Sequence, residues 1–158
     1  MQARATYDDA NLILRLYELR REERLRKARA WFVASFRPHT LQDFHALCPP
    51  GSDELTSYRM VTSYWEMVAS FITSGVLAPE LFFQSGRELL LVWERIRDIV
   101  PAIREQNTDP LAFSNLETVA REFIAYLERH SPGAYAAFSA RIRGEAPPQS
   151  VVPDSSRS

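Results

Sequence analysis

The sequence predicts an all-α protein: one bundle of five or six helices, with a long first helix and a buried central helix. Three observations carry that reading. The segment from Asp53 to Ser74 confines Arg59, Thr62, Ser63, Glu66, Ser70 and Thr73 to one narrow stripe. Tyr58, Met60, Val61, Tyr64, Trp65, Met67, Val68, Phe71 and Ile72 take most of the remaining circumference, and a helix that apolar is packed on several sides. Proline and glycine cluster between periodic segments rather than within them, and nothing resembles a β-hairpin turn or an internal repeat.

The first helix is expected to open at Asp8 or Asp9, whose carboxylates suit the positive end of a helix. It then runs without glycine or proline to about Phe36. Leu14, Tyr17, Leu25, Ala28 and Phe32 mark its inner stripe, while Leu12, Leu16 and Leu19 form an adjoining apolar face. Thr40 and Asp43 resemble a capping box for a short helix bearing Leu41, Phe44 and Leu47. Cys48-Pro49-Pro50-Gly51 stops it. Ser52 or Asp53 caps the central helix, and Gly75 lies just past its end.

A fourth helix is expected from Pro79 to about Gln106, weakened at Gly86 and kinked or restarted at Pro101. Ser114 and Glu117 form the capping box of a fifth, in which Leu116, Val119, Ala120, Phe123, Ile124 and Leu127 repeat with helical period. Ser131-Pro132-Gly133 precedes a last amphipathic helix with Tyr135, Phe138 and Ile142. The expected domain covers residues 1–143. From 144 to 158 the composition turns to Pro, Ser, Gln and Asp, and a disordered tail is expected.

The 158 residues suffice for one domain, and Cys48, the lone cysteine, excludes an internal disulfide. The amino terminus is charged where a signal peptide needs an apolar run, and no apolar run is long enough to span a bilayer. A cytoplasmic protein is expected. Residues 1–37 hold nine basic against five acidic side chains, whereas the remainder holds ten against fifteen. Lys27 is the only lysine, a bias that fits genomic base composition rather than function.

Candidate chemistry is sparse. His39, His45 and Cys48 lie close in sequence, but their spacing suits no metal and no second cysteine exists. The paired Glu-x-x-His pattern of di-iron bundles is absent, as are glycine-rich phosphate loops. No catalytic residue, metal or cofactor is therefore assigned. Glu66 lies among aromatics on the central helix, and facing inward it would have to pair with an arginine such as Arg104 or Arg121. Arg59 and Glu66 are the candidate ligand-binding pair, and Glu88 and Glu117 invite the same reasoning. Arg20, Arg21, Arg24, Arg26, Lys27 and Arg29 form a basic stretch that could meet a nucleic acid or another anionic partner. Glu22 and Glu23 within the stretch, and a pI of about 6.3, favour a solvated, self-paired helix face instead.

The run Arg59…Ser63-Tyr64-Trp65-Glu66-Met67…Ser74-Gly75-Val76-Leu77 continues through Leu81-Phe82-Phe83, Val92-Trp93 and Val100-Pro101-Ala102-Ile103-Arg104. With Arg29-Ala30-Trp31-Phe32 and Asn115-Leu116-Glu117, it resembles a group of small bacterial all-helical proteins of unknown function. The resemblance spans most of residues 10–127 and implies the fold and a bacterial source, with no activity to carry over. The function expected from the residues is a non-enzymatic protein–protein interaction module that pairs with itself. Leu12, Leu16 and Leu19 are the expected homodimer surface, because one helix cannot easily bury two apolar faces in one bundle. Binding of an anionic partner through the basic stretch is the alternative, and an enzyme or ligand binder around Glu66 comes third.

Overall fold

The chain leaves its first helix after Arg20, because the carboxylate of Glu22 turns back to accept from the Leu25 N–H at 2.9 Å and caps a new helix. The structure, a computed structural model, describes residues 4–145. Within them the helices are α1 (Tyr7–Arg20), α2 (Glu23–Ser35), α3 (Leu41–Leu47), α4 (Asp53–Thr73), α5 (Pro79–Phe83), α6 (Arg87–Ile96), α7 (Val100–Asn107), α8 (Ser114–His130) and α9 (Ala134–Arg143). The fold is all-helical, but the count of five or six is corrected to nine among the described residues. The expected first helix is two helices and the expected fourth is three. Residues 146–158, most of the expected disordered tail, lie outside the described residues.

Splitting the first helix changes which side of it faces inward. Thr6, rather than Asp8 or Asp9, is the N-cap of α1, in a capping box with Asp9. Asp9 and Leu16 are buried, with Leu12 and Ile13 packed against the core. Leu14 and Tyr17, expected inside, stand 63% and 44% exposed. Leu16, expected on a partner surface, is thus a core residue. Leu25, Ala28 and Phe32 of the expected inner stripe are buried in α2; a break at Arg21-Glu22 removes any common register between the two halves.

The other termini follow from local chemistry. Thr40 and Asp43 form the capping box of α3, and the Ser52 hydroxyl accepts from the Leu55 N–H at 3.1 Å to open α4. Gly75 takes φ 79° just beyond α4, a left-handed conformation that costs glycine little. Pro101 sits in the first turn of α7, where its missing N–H breaks no helical bond.

Between α5 and α6 the cause is steric. The ring of Phe82, itself buried, lies over Gly86 so closely that an added Cβ would sit 2.4 Å from it.

Core packing centres on α4, which lies chiefly against α2 and α8, while α6 packs on α8 and α9. Val61, Trp65, Val68 and Ala69 are almost completely buried on it. An aromatic chain links α2, α3 and α4: Phe32 stacks on Phe36 at 4.6 Å, Phe36 on Tyr58 at 5.2 Å, and Phe44 meets Tyr58 edge-on at 4.7 Å. Trp65 and Phe82 carry the packing towards α5, and Phe83 meets Phe123 of α8 at 4.5 Å. No helix among the described residues is long and apolar enough to cross a membrane.

Because Phe82 is buried, its ring has no room to swing clear of a new methyl group. Gly86→Ala is expected to lower stability by about 1–3 kcal/mol, the usual cost of overpacking. Thermal unfolding checks it, and Phe82→Leu combined with Gly86→Ala should cost less than the two single changes added together.

Candidate functional site

Glu66 does not pair with an arginine. Its carboxylate reaches across from α4 to the start of α8, where Oε1 accepts from the Asn115 N–H at 3.2 Å and from Asn115 Nδ2 at 2.9 Å. Oε2 accepts from the Leu116 N–H at 2.8 Å. These are first-turn amides of α8, which have no partner within their own helix. A carboxylate also complements the positive end of the helix dipole. One turn pair further along α4, the Thr73 hydroxyl donates to Asn115 Oδ1 at 2.7 Å. Asn115 is therefore clamped by two α4 side chains.

The expected Ser114–Glu117 capping box does not form, because Phe113 holds the N-cap position in a left-handed conformation, φ 58°, with no side-chain cap. Glu117 is turned the other way. It accepts from Arg104 at 2.8 Å and pairs with Arg121, while Arg104 Nε donates to the Ala112 carbonyl at 2.8 Å. The two arginines proposed for Glu66 thus belong to Glu117, and α8 receives its cap from another helix. No local sequence signal could have assigned that cap to α4.

Beside this junction an open groove of about 710 Å³ runs along α4. Arg59 and Glu66 both line it, together with Met60, Ser63, Ile103 and Phe113. A second depression of about 530 Å³ lies on the other side of Met60 and Ser63 and is bordered by Leu19, Leu25, Tyr64 and Met67. The exposed ridge of α4 therefore stands between two hollows. Leu19, at 43% exposed, is the one member of the expected leucine surface that reaches this face in the open; Leu12 is half-buried and Leu16 buried.

The basic stretch is divided between two environments. Arg29 forms a bidentate pair with Glu88 of α6, its Nε 2.7 Å from Oε1, and Arg20 binds the same carboxylate. Arg29 also donates to the Arg20 carbonyl at 3.2 Å, a group freed by the helix break. Tyr64 donates to the Leu16 carbonyl at 2.6 Å. Lys27 pairs with Glu23 on the surface, and Arg21, Arg24 and Arg26 are exposed. Two of the six cations are therefore structural. Burial acts to raise the Glu88 pKa, but hydrogen bonds and charge from Arg29 and Arg20 outweigh it and hold the carboxyl below its usual range.

A third polar centre escaped the sequence reading. Glu94, fully enclosed on α6, accepts from Tyr135 at 2.6 Å and Ser139 at 2.7 Å, and from Arg97 at 3.2 Å. Next to it the buried Arg95 donates to the carbonyls of Phe36 at 2.8 Å and Val33 at 3.1 Å, closing the end of α2. Arg143 of α9 and His39 meet Asp98 at 2.8 and 3.1 Å. Glu94 and Asp98 are four residues apart, the first buried on α6 and the second exposed in the turn beyond it, and solvated helix faces show the same spacing. His45 contacts Gln106 rather than Cys48. Burial, with Glu54 nearby, pushes the Cys48 thiol up to about 11, so it carries little thiolate.

The molecule is thus a helical bundle whose buried charges close helix ends or pair with side chains of other helices, and whose open face lies along its central helix. The chain matches the family model of a domain of unknown function, DUF4760, over residues 5–123, and it belongs to that family. No curated protein and no solved structure matches it.

Removing the Glu66 carboxylate leaves the Asn115 and Leu116 amides without an acceptor. Glu66→Ala is expected to cost about 0.5–2 kcal/mol, the range for losing a helix cap, and to speed hydrogen exchange at the first turn of α8 while α9 is unchanged.

Glu88→Gln, which breaks a largely buried pair, is expected to cost about 3–5 kcal/mol at neutral pH. Its folded pKa lies below the unfolded one, so the pairing stabilises above the ordinary carboxylate range and is lost as pH falls through the folded value. Denaturant titrations from pH 7 to pH 3 should therefore show a smaller acid-induced loss in Glu88→Gln than in the wild type.

Proposed function

We propose that this chain is a non-enzymatic interaction module that pairs with a second copy of itself through the open face of α4. The observation that carries this reading is the self-complementary order of that face. Arg59 and Glu66 are seven residues apart and bracket Ser63, as do Met60 and Met67 at the same spacing. Seven residues make two helical turns, about 10 Å, and so hold one face. An antiparallel copy crossing near Ser63 brings each Arg59 beside the other chain's Glu66. Two methionines and a small serine fill the centre, and the hollows on either side receive the flanks of the partner helix. A two-fold contact requires one patch to match itself, and this patch does so in both charge and shape.

Glu66 keeps accepting capacity while it caps α8, since a carboxylate offers about four lone-pair sites and three are engaged. Methionine suits such a contact because its flexible, polarizable side chain adapts to an apolar partner. Leu19 adds apolar area at the border of the second hollow. Pairing through this face replaces the surface of Leu12, Leu16 and Leu19 expected from periodicity.

Light scattering at tens of micromolar should give the mass of two 18.2 kDa chains. Ser63→Arg, at an exposed position, should return the mass to one chain without lowering the thermal midpoint of the monomer. A wild-type mass of one chain refutes self-pairing, and a dimer untouched by Ser63→Arg refutes this face.

A further inference from the structure

Three buried side-chain nitrogens among the described residues have no hydrogen-bond partner: Arg20 Nε, Trp65 Nε1 and Arg95 Nε. The first two belong to residues that line the same cavity, a space of about 20 Å³ between α1, α4 and the α5–α6 turn. Trp65 is 2% exposed and the Arg20 side chain 13%. Natural proteins leave few buried N–H groups unpaired, so two at one small cavity describe an occupant that accepts hydrogen bonds.

The charge beside the cavity narrows its chemistry. Arg20 and Arg29 share the single carboxylate of Glu88, leaving one positive charge in excess in a largely buried cluster. The guanidinium of Arg20 also lies over the Trp65 ring at 5.2 Å and the Tyr17 ring at 4.7 Å, which holds it in place without neutralising it. About 10–15 Å³ is enough for a water-sized guest. A water would accept both N–H bonds but bring no charge. Its own two protons could go to the oxygens of Ser85, Tyr17 or Tyr64, which line the cavity beside Ile13, Leu16, Val68 and Phe82, but the excess positive charge would stay uncancelled. A small anion accepts both bonds, needs no acceptor in return and cancels the excess charge.

We propose that this cavity binds one monovalent anion of chloride size, held between the Nε–H of Arg20 and the Nε1–H of Trp65. Its occupant ties the end of α1, at the helix break, to α4 and to the turn before α6. The site is separate from the open face of α4 and does not depend on self-pairing.

The decisive experiment is a crystal of the full chain grown in sodium bromide, with data collected at the bromine edge. An anomalous peak between Arg20 and Trp65 is expected; a cavity that is dry, or holds density without anomalous signal, overturns the proposal. In solution, chloride replaces gluconate at constant ionic strength. At about five times its Kd, chloride should raise Tm by roughly 2–4 °C, and the rise should continue with the logarithm of the chloride concentration. Trp31→Phe should keep that rise and Trp65→Phe should lose it. Equal Tm values in the two salts, or a rise retained by Trp65→Phe, counts against the site. If Trp65→Phe does not fold, the bromide peak in the wild type decides.

Discussion

A helix apolar around most of its surface must be wrapped, and α4 imposes that requirement on everything else in this chain. Tyr58, Val61, Tyr64, Trp65, Val68 and Ile72 are all buried on it, and no single straight neighbour covers so wide a sector. The chain meets the requirement by breaking. The segments on either side of α4 turn after Arg20, after Phe83 and after Ile96, and each break lets the next helix change direction around the central one.

Every break exposes amides and carbonyls that the helix no longer pairs, and leaving them buried and unbonded costs free energy. The buried polar side chains answer that need. Asp9 accepts from the Ala78 N–H at 2.8 Å, and its backbone bonds from Thr6 and Ala78 hold its pKa down. Glu66 takes the first amides of α8, Arg95 the last carbonyls of α2, Arg29 the carbonyl of Arg20 and Arg104 that of Ala112. That rule accounts for several of the charged groups that otherwise look like the parts of an active site, whereas Glu88 and Glu94 bond side chains instead.

The same rule separates structural polar groups from those free to meet a partner. Once Glu88 has claimed Arg20 and Arg29, and the end of α2 has claimed Arg95, the exposed side chains of the α4 ridge remain: Arg59, Ser63 and Met67, with the partly covered Met60 and the partly engaged Glu66 beside them. Arg20 Nε, Trp65 Nε1 and Arg95 Nε are exceptions among the described residues, since they are buried, polar and bonded to nothing. The motif residues Asn115, Leu116 and Glu117 gain distinct roles. Asn115 is held by Glu66 and Thr73, Leu116 fills the core, and Glu117 joins α7 to α8 through Arg104.

The sequence by itself determined the class of fold, the burial of α4 and most helix starts, because those depend on short-range period and on caps within three or four residues. Thr40 with Asp43, Ser52, Gly75 and Pro101 each act on their own neighbours, and each does locally what its residue type favours. Tertiary structure alone decided the break at Arg21-Glu22, the inward face of α1 and the partners of Glu66, Glu88 and Glu94. A glutamate on a helix carries no local mark of the amide or guanidinium it will meet forty or more residues away. That choice is made by burial, which fixes where each charge ends up and leaves it to bond whatever polar group lies there.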